Sequence, residues 1–442
     1  MSETKRLVNV HSELTVVSDT PVERGKRYPL SILDHAMGLH TLHIVFYYRY
    51  DRPESDDLGR LRESLSQLLT LYPPVTGRLR RRSEDGNWEV SCNDAGVRVL
   101  VSRVHSTLDE WLTSADGSQE RDLTAWEDFP EEDTSTWSPF RIQLNDFEGE
   151  GLAIGLSFTH LYADPTFCTT LFKSWTDVHR HLSIAYPPFF HPPALRGRAS
   201  PNTNTKSAEY YATKSKAQHP YPVKMSTVTF RFSETIIKQC LSEVQTDCPD
   251  ATPFDILAAL FWLSVMRAKN ENCKLSICID FRKLMHAPLP HGYFGNALHF
   301  SMVSSEENKM DEGGLAYLTG LVHQHLSSLE EEELWSAIDW LESEREEGGK
   351  YAQPFRMYGP ELTCANMEHV FAYAAILEGM KPLHVSYHVG NVEGEGLILV
   401  LPSPEEGLGR TVMVTLPEDQ TNKLRKDPAI LSLEPTMLVS GS

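Results

Sequence analysis

The residues best suited to chemistry are His160-Leu161-Tyr162-Ala163-Asp164, a histidine four positions ahead of an aspartate. An imidazole titrates near neutrality, so it can take a proton from an attacking hydroxyl and later return it. At the end of a strand, on its apolar face, such a ring is expected to keep a near-neutral pKa and to project into a cleft. His160 is therefore the candidate general base for attack of an acceptor on a thioester carbonyl. A plainer reading covers the same letters. Asp164 followed by Pro165 has the form of a helix N-cap and first helical residue, and a histidine ending a strand can be an ordinary core residue hydrogen-bonded to backbone.

The elements around this pair are readable. Leu152, Ile154, Leu156, Phe158 and His160 alternate, which predicts a strand over residues 151–160. Phe167, Leu171, Trp175, Val178 and Leu182 then recur at helical spacing. An earlier helix is expected from Leu61, Leu65, Leu68, Leu69 and Tyr72, after Asp56-Asp57 and before Pro73-Pro74. Residues 183–225 are dense in proline (Pro187, Pro188, Pro192, Pro193, Pro201, Pro220, Pro222), and they read as a linker or crossover. Beyond it, Thr252-Pro253 opens a helix with Phe254, Leu257, Ala258, Phe261, Trp262 and Val265 on one face. Leu275, Ile277 and Ile279 alternate toward Asp280 as a strand, and residues 397–401 and 411–416 predict a late hairpin. The acidic patches Glu306-Glu307 and 330–333 read as solvated surface.

A second block supplies the context for His160. Asp280-Phe281-Arg282-Lys283-Leu284 leads into Ala287-Pro288-Leu289-Pro290-His291-Gly292-Tyr293-Phe294-Gly295-Asn296-Ala297. With the HxxxD, and with SLSQLLTLYPPVTGRL (64–79), Cys92-Asn93-Asp94-Ala95-Gly96-Val97 and TPFDILAALFW (252–262), this closely resembles the plant BAHD acyltransferases over almost the whole chain. The resemblance implies an α/β fold of two similar chloramphenicol-acetyltransferase-like domains, here 1–182 with the HxxxD and 226–442, joined by the crossover 183–225. It implies a channel at their interface with His160 at its middle, reached by acyl-CoA from one face and an acceptor from the other. Asp164 would point away from the substrate and pair with Arg282 in a structural role. No cofactor is implied, and acyl-CoA would be the substrate.

The chain departs from that family in its last third. Where the family carries DFGWG before a basic residue and proline, Ile376-Leu377-Glu378-Gly379-Met380 precedes Lys381-Pro382. Where many members carry T-S-W, with the tryptophan near the oxyanion, Thr363-Cys364-Ala365-Asn366 stands instead. Loss of one oxyanion donor is worth ~10²–10³ in turnover. The Asn366 amide is the candidate substitute and, with Tyr162, a candidate channel-lining residue. These departures resemble the ECERIFERUM/Glossy-type branch: Tyr358-Gly359-Pro360-Glu361-Leu362-Thr363, Tyr387-His388-Val389-Gly390, and Leu33-Asp34-His35-Ala36-Met37-Gly38-Leu39-His40 fit it. That branch implies a role in cuticular wax formation, beside an endoplasmic-reticulum condensing enzyme that extends very-long-chain acyl groups. The complete HxxxD keeps an acyl-CoA-dependent O- or N-acyltransferase open as the alternative.

Composition bounds the rest. At 442 residues, two domains are expected. Sixty-one acidic against 41 basic residues give a net charge of −20, a poor surface for nucleic acid or anionic headgroups. Seven scattered cysteines without metal-ligand spacing predict reduced thiols in the cytosol. The N-terminal Met1-Ser2-Glu3-Thr4-Lys5-Arg6 has no apolar core behind it, and no apolar run approaches a bilayer span. The expected location is cytoplasmic, at the cytosolic face of the endoplasmic reticulum, with the chain monomeric when alone. His179/His181 and His323/His325 have HxH spacing without a third ligand and read as helix surface rather than metal sites. Residues 390–396 are glycine-bearing but acidic and lack a helix start, so they read as a loop rather than a phosphate cradle.

Overall fold

The strand and helix signals resolve into three sheets in the computed structural model, which describes residues 7–23, 25–50, 57–125, 127–130, 133–190, 195–218, 222–305, 314–405 and 407–439. Met1 to Arg6, Asp56, Pro192-Pro193, Pro220 and Glu306-Glu307 lie outside the described residues. The first sheet has six strands in the order β1 (Val8–Val16), β6 (Val97–Val104), β7 (Phe140–Phe147), β8 (Leu152–Thr159), β3 (Thr41–Tyr48) and β13 (His384–Val389). The second has seven: β11 (Leu298–Val303), β10 (Leu275–Asp280), β12 (Leu362–Asn366), β14 (Leu397–Pro402), β15 (Arg410–Pro417), β9 (Met225–Phe232) and β16 (Thr436–Leu438). A small sheet joins β2 (Arg27–Pro29), β5 (Trp88–Ser91) and β4 (Arg78–Arg81). Within the large sheets β6/β7, β10/β12 and β12/β14 run parallel and the remaining pairs antiparallel. The architecture is mixed α/β with two sheet-rich halves, as expected, and the small third sheet is an addition to them.

The helices are α1 (Ile32–Ala36), α2 (Asp57–Thr70), α3 (Leu108–Ser114), α4 (Gly117–Arg121), α5 (Pro165–His179), α6 (Lys206–Ser215), α7 (Glu234–Val244), α8 (Pro253–Lys269), α9 (Gly314–Ser327), α10 (Glu331–Ser343), α11 (Glu418–Leu424) and α12 (Pro428–Leu431). Leu65, Leu68 and Leu69 of α2 share an apolar layer with Leu171, Phe172 and Trp175 of α5. This layer covers one face of the first sheet. The other face of β8 is covered too: a Cβ on Gly155 would lie 2.1 Å from the Leu123 carbonyl. Every residue of β8 is consequently buried, and its alternation does not separate an inner from a wet face. The stripe predicted as far as Leu182 stops earlier. Arg180 caps α5, His181 takes a left-handed φ of 57°, and Leu182 is exposed.

Two features tie the halves together more closely than a linker between units would. Strand β13, from the C-terminal half, pairs with β3 through six residues from His384↔Tyr47 to Val389↔Leu42. The proline-rich segment also contains a helix: α6 buries Tyr211 and Lys214, and Arg198 ahead of it binds Asp339 and Glu332 of α10. One apolar core accordingly holds Phe46 and Phe167 together with Phe294, Tyr358 and Leu399. Among the described residues no helix is long and apolar enough to cross a membrane.

Candidate functional site

Asp164 is the N-cap of α5, its Oδ1 accepting from the Phe167 amide at 2.9 Å, with Pro165 at the first helical position. The same carboxylate accepts from the Ala297 amide at 2.9 Å and meets both terminal nitrogens of Arg282, at 2.9 and 3.1 Å. Arg282 also pairs with Asp280, whose carboxylate further accepts from Thr166 Oγ1 at 2.7 Å and lies 3.0 Å from His369 Nε2. Burial alone would raise Asp280, but Arg282 beside it holds its carboxyl far below the usual range. Burial likewise works against the Arg282 charge, and the two aspartates more than restore it. A buried cation between two carboxylates is costly unless its partners stay fixed. Here strand β10, the loop after it and the start of α5 are all anchored on one guanidinium.

His160 sits directly across this turn. Its amide donates to the His40 carbonyl at 2.9 Å, and its own carbonyl accepts from Asn296 Nδ2 at 2.8 Å. Asn296 is held in turn by Asp34 Oδ1, which accepts from both its backbone and its side-chain nitrogen, at 2.7 and 2.8 Å. Burial pushes the Asp34 carboxyl up to about 6, against the hydrogen bonds from Asn296 and Ser31. The sequence block ending in Gly295-Asn296 thereby positions the histidine backbone from the other half of the chain.

The ring itself differs from the expectation of a near-neutral base in a cleft. It is 0% exposed. Burial, reinforced by His40, lowers its pKa to about 3. Nε2 lies 3.2 Å from the Tyr358 hydroxyl, and Nδ1 has no hydrogen-bond partner. For a neutral ring the consistent assignment is a phenol donating to Nε2 and the ring proton on Nδ1. The physical reason for the seal lies in the 355–360 segment. The Met357 and Tyr358 amides point at His40 Nε2, at 3.1 and 3.4 Å, and His40 Nδ1 donates to the Gly390 carbonyl at 3.0 Å. The Tyr358 ring is then packed edge-on against His40 and Phe300, with centroids 5.0 and 5.3 Å away.

The other candidates fall around this centre in different ways. Tyr162 is buried edge-on to Phe294, and its hydroxyl has no hydrogen-bond partner. Asn366 ends β12, and its Oδ1 accepts from the Glu368 amide at 3.1 Å in the turn that follows. The Glu378-Gly379 pair, where the family carries its second signature, has positive φ at both residues and closes a two-residue hairpin between Leu377 and Met380. Glu378 meets His179 Nε2 at 2.9 Å, at the end of α5. His323 bonds Asp255 and His325 bonds Ser301, so these histidines serve helix packing. Among the described residues no group of three potential metal ligands is present. The motif letters around His40, Asp34, Asn296 and Tyr358 are visible in sequence, but not their convergence on the backbone and ring of His160.

The Transferase family model matches residues 7–431. The chain is 26% identical over 437 residues to the hydroxycinnamoyltransferase of Narcissus pseudonarcissus, covering 95% of this chain and 99% of that one. It is 27% identical to Protein ECERIFERUM 2 of Arabidopsis thaliana, covering 93% and 96%. The fold is similar to that of F. sporotrichioides TRI101 complexed with Coenzyme A and T-2, with a TM-score of 0.74 at 14% identity, over 94% of this chain and 100% of that one. The matched model and the shared fold leave one conclusion: the chain belongs to the Transferase family, the BAHD acyltransferases.

Proposed function

We propose that the protein binds acyl chains as an accessory component of very-long-chain fatty acid elongation for cuticular wax. It would work beside a condensing enzyme at the cytosolic face of the endoplasmic reticulum. The observation that carries this reading is the state of His160: fully buried, lowered to about 3, and with Nε2 already engaged by Tyr358. General-base catalysis near neutral pH favours a group whose pKa is close to the working pH and whose nitrogen can reach the substrate. Relatives of both kinds are similar to the same degree, at 26% and 27% identity, so the site has to choose between them. The coenzyme A bound in a structural neighbour supports an acyl thioester as the ligand class.

The alternative is an acyl-CoA-dependent O- or N-acyltransferase with His160 as general base. The retained Asp164–Arg282 pair and the Asn296 anchor favour it, because they hold the histidine turn in a fixed position. Co-expression with a condensing enzyme in yeast separates the two. The accessory reading expects longer acyl chains with the wild type and equally with His160→Ala. Chain lengths that never change would refute it, and a lengthening abolished by His160→Ala would favour the transferase.

A further inference from the structure

We infer that Tyr358 is an internal occupant of the acceptor position, so that this chain holds an acyl thioester without passing the acyl group on. The inference rests on the reading that an acyl thioester binds. It is carried by the placement of the phenol. A hydroxyl that His160 activates must present its oxygen to Nε2 at hydrogen-bond distance, and the Tyr358 oxygen already lies 3.2 Å from that atom. The ring is 0% exposed and fixed from both sides of its chain. On one side the Met357 amide is bound by His40. On the other the Gly359 carbonyl accepts from the buried Lys214 ammonium at 2.7 Å. An external alcohol therefore meets a tenant that cannot leave without breaking these contacts.

The same segment borders a cavity of about 230 Å³, lined by Phe355, Arg356 and Pro360 together with Ile32, Ala36 and Trp340. Shortening residue 358 opens space beside His160, within the segment that borders this cavity. Water or a small alcohol in that space can then react. Its oxygen forms a bond to the thioester carbonyl carbon while its proton goes to His160 Nε2. The carbon–sulfur bond breaks, and the proton passes to the departing thiolate, giving free acid or ester plus coenzyme A.

The test uses the full-length protein with palmitoyl-CoA, with and without ethanol. Binding is measured by calorimetry and free coenzyme A by chromatography. Tyr358→Ala and Tyr358→Leu are compared with the wild type, the leucine variant keeping apolar contact with Phe300 should the alanine variant unfold. The wild type is expected to bind palmitoyl-CoA and release coenzyme A no faster than buffer. At least one folded variant should release it about ten-fold faster or more, given that a general base is worth ~10²–10⁴, and His160→Ala in that background should abolish the gain. Binding by the wild type with His160-dependent release overturns the inference, as does binding without any gain in folded variants. No binding at all removes the underlying reading and the inference with it.

Discussion

The two ring nitrogens of His160 are treated unequally, and that inequality sets what the residue can do. With the ring proton assigned to Nδ1, Nε2 accepts from the Tyr358 hydroxyl, and Nδ1 has no partner at hydrogen-bond geometry. A second proton on Nε2 would turn the Tyr358 hydroxyl from donor to acceptor, but in a ring without solvent the lost hydration of the charged form outweighs the hydrogen bonds that favour it. Burial, with His40 nearby, accordingly lowers the pKa to about 3. The expected outcome is a long-range nitrogen–proton NMR spectrum showing the Nδ1–H tautomer of His160, unchanged from about pH 8 to about pH 6. A titration step near 6.5 in the folded protein would show instead that the ring is open to solvent. The identity of this histidine was legible from its spacing to Asp164. Its environment was not, because the groups that close over it, His40, Asn296 and Tyr358, come from positions up to 198 residues away.

At the scale of elements, the start of α5 illustrates what local sequence can specify and where it stops. The Asp164-Pro165 start is a local signal and appears as read, as does the Thr252 cap, whose oxygen binds the Asp255 amide with Asp255 returning the bond. The strands of the late hairpin are likewise local, pairing from Leu397↔Thr415 to Pro402↔Arg410. Strand β13 had no such signal, since its partner β3 is more than three hundred residues earlier and every one of its residues but Val389 is buried. The helix inside the proline-rich stretch was hidden by composition, although Thr205 caps it by accepting from the Ala208 amide. Arg282 links the local start to the distant elements. Replacing it with alanine leaves buried Asp164 without a counter-charge and Asp280 with only His369 beside it, and a loss of about 3–5 kcal/mol in urea unfolding is expected. Arg282→Lys should lose less while still forfeiting the two-pronged contact. A change within about 0.5 kcal/mol for the alanine variant would mean that the pair does not bind the halves together. Gly292 offers a second test. A Cβ there would sit 2.0 Å from the Pro187 carbonyl, where the crossover backbone is paired with the motif through Phe189. Gly292→Ala should therefore cost about 1–3 kcal/mol through forced backbone displacement.

Across the whole molecule, among the described residues, buried neutral histidines make the fold sensitive to acid. Burial lowers His35, His160 and His384 to about 3, His40 and His299 to about 4, and His43 well below its ordinary value. In several of them geometry enforces neutrality: His35 Nε2 accepts from the Trp88 amide, and His40 Nε2 from that of Met357. The unfolded chain binds protons on these rings below about 6.5, and the folded chain does not. Stability therefore rises with pH through this window and falls as pH drops from about 6.5 toward 4. Asp34, raised to about 6, works in the opposite sense by taking a proton in the folded state first, and it offsets roughly one of the six. Near pH 5.5 the lowered rings outweigh Asp34, so unfolding takes up several protons and stability falls as pH drops. Each such proton is worth about 1.4 kcal/mol per pH unit, so several together erode an ordinary stability of about 5–15 kcal/mol within a few pH units. Because the first sheet contains β13 and one core spans both halves, the loss should be cooperative across the chain. Tryptophan fluorescence and circular dichroism are expected to show a single acid transition near pH 5. The urea midpoint should fall steeply between about pH 6.5 and 5.5. Two separated acid transitions would show that the halves unfold independently. A protein still folded at about pH 4 would show that these rings accept protons in place.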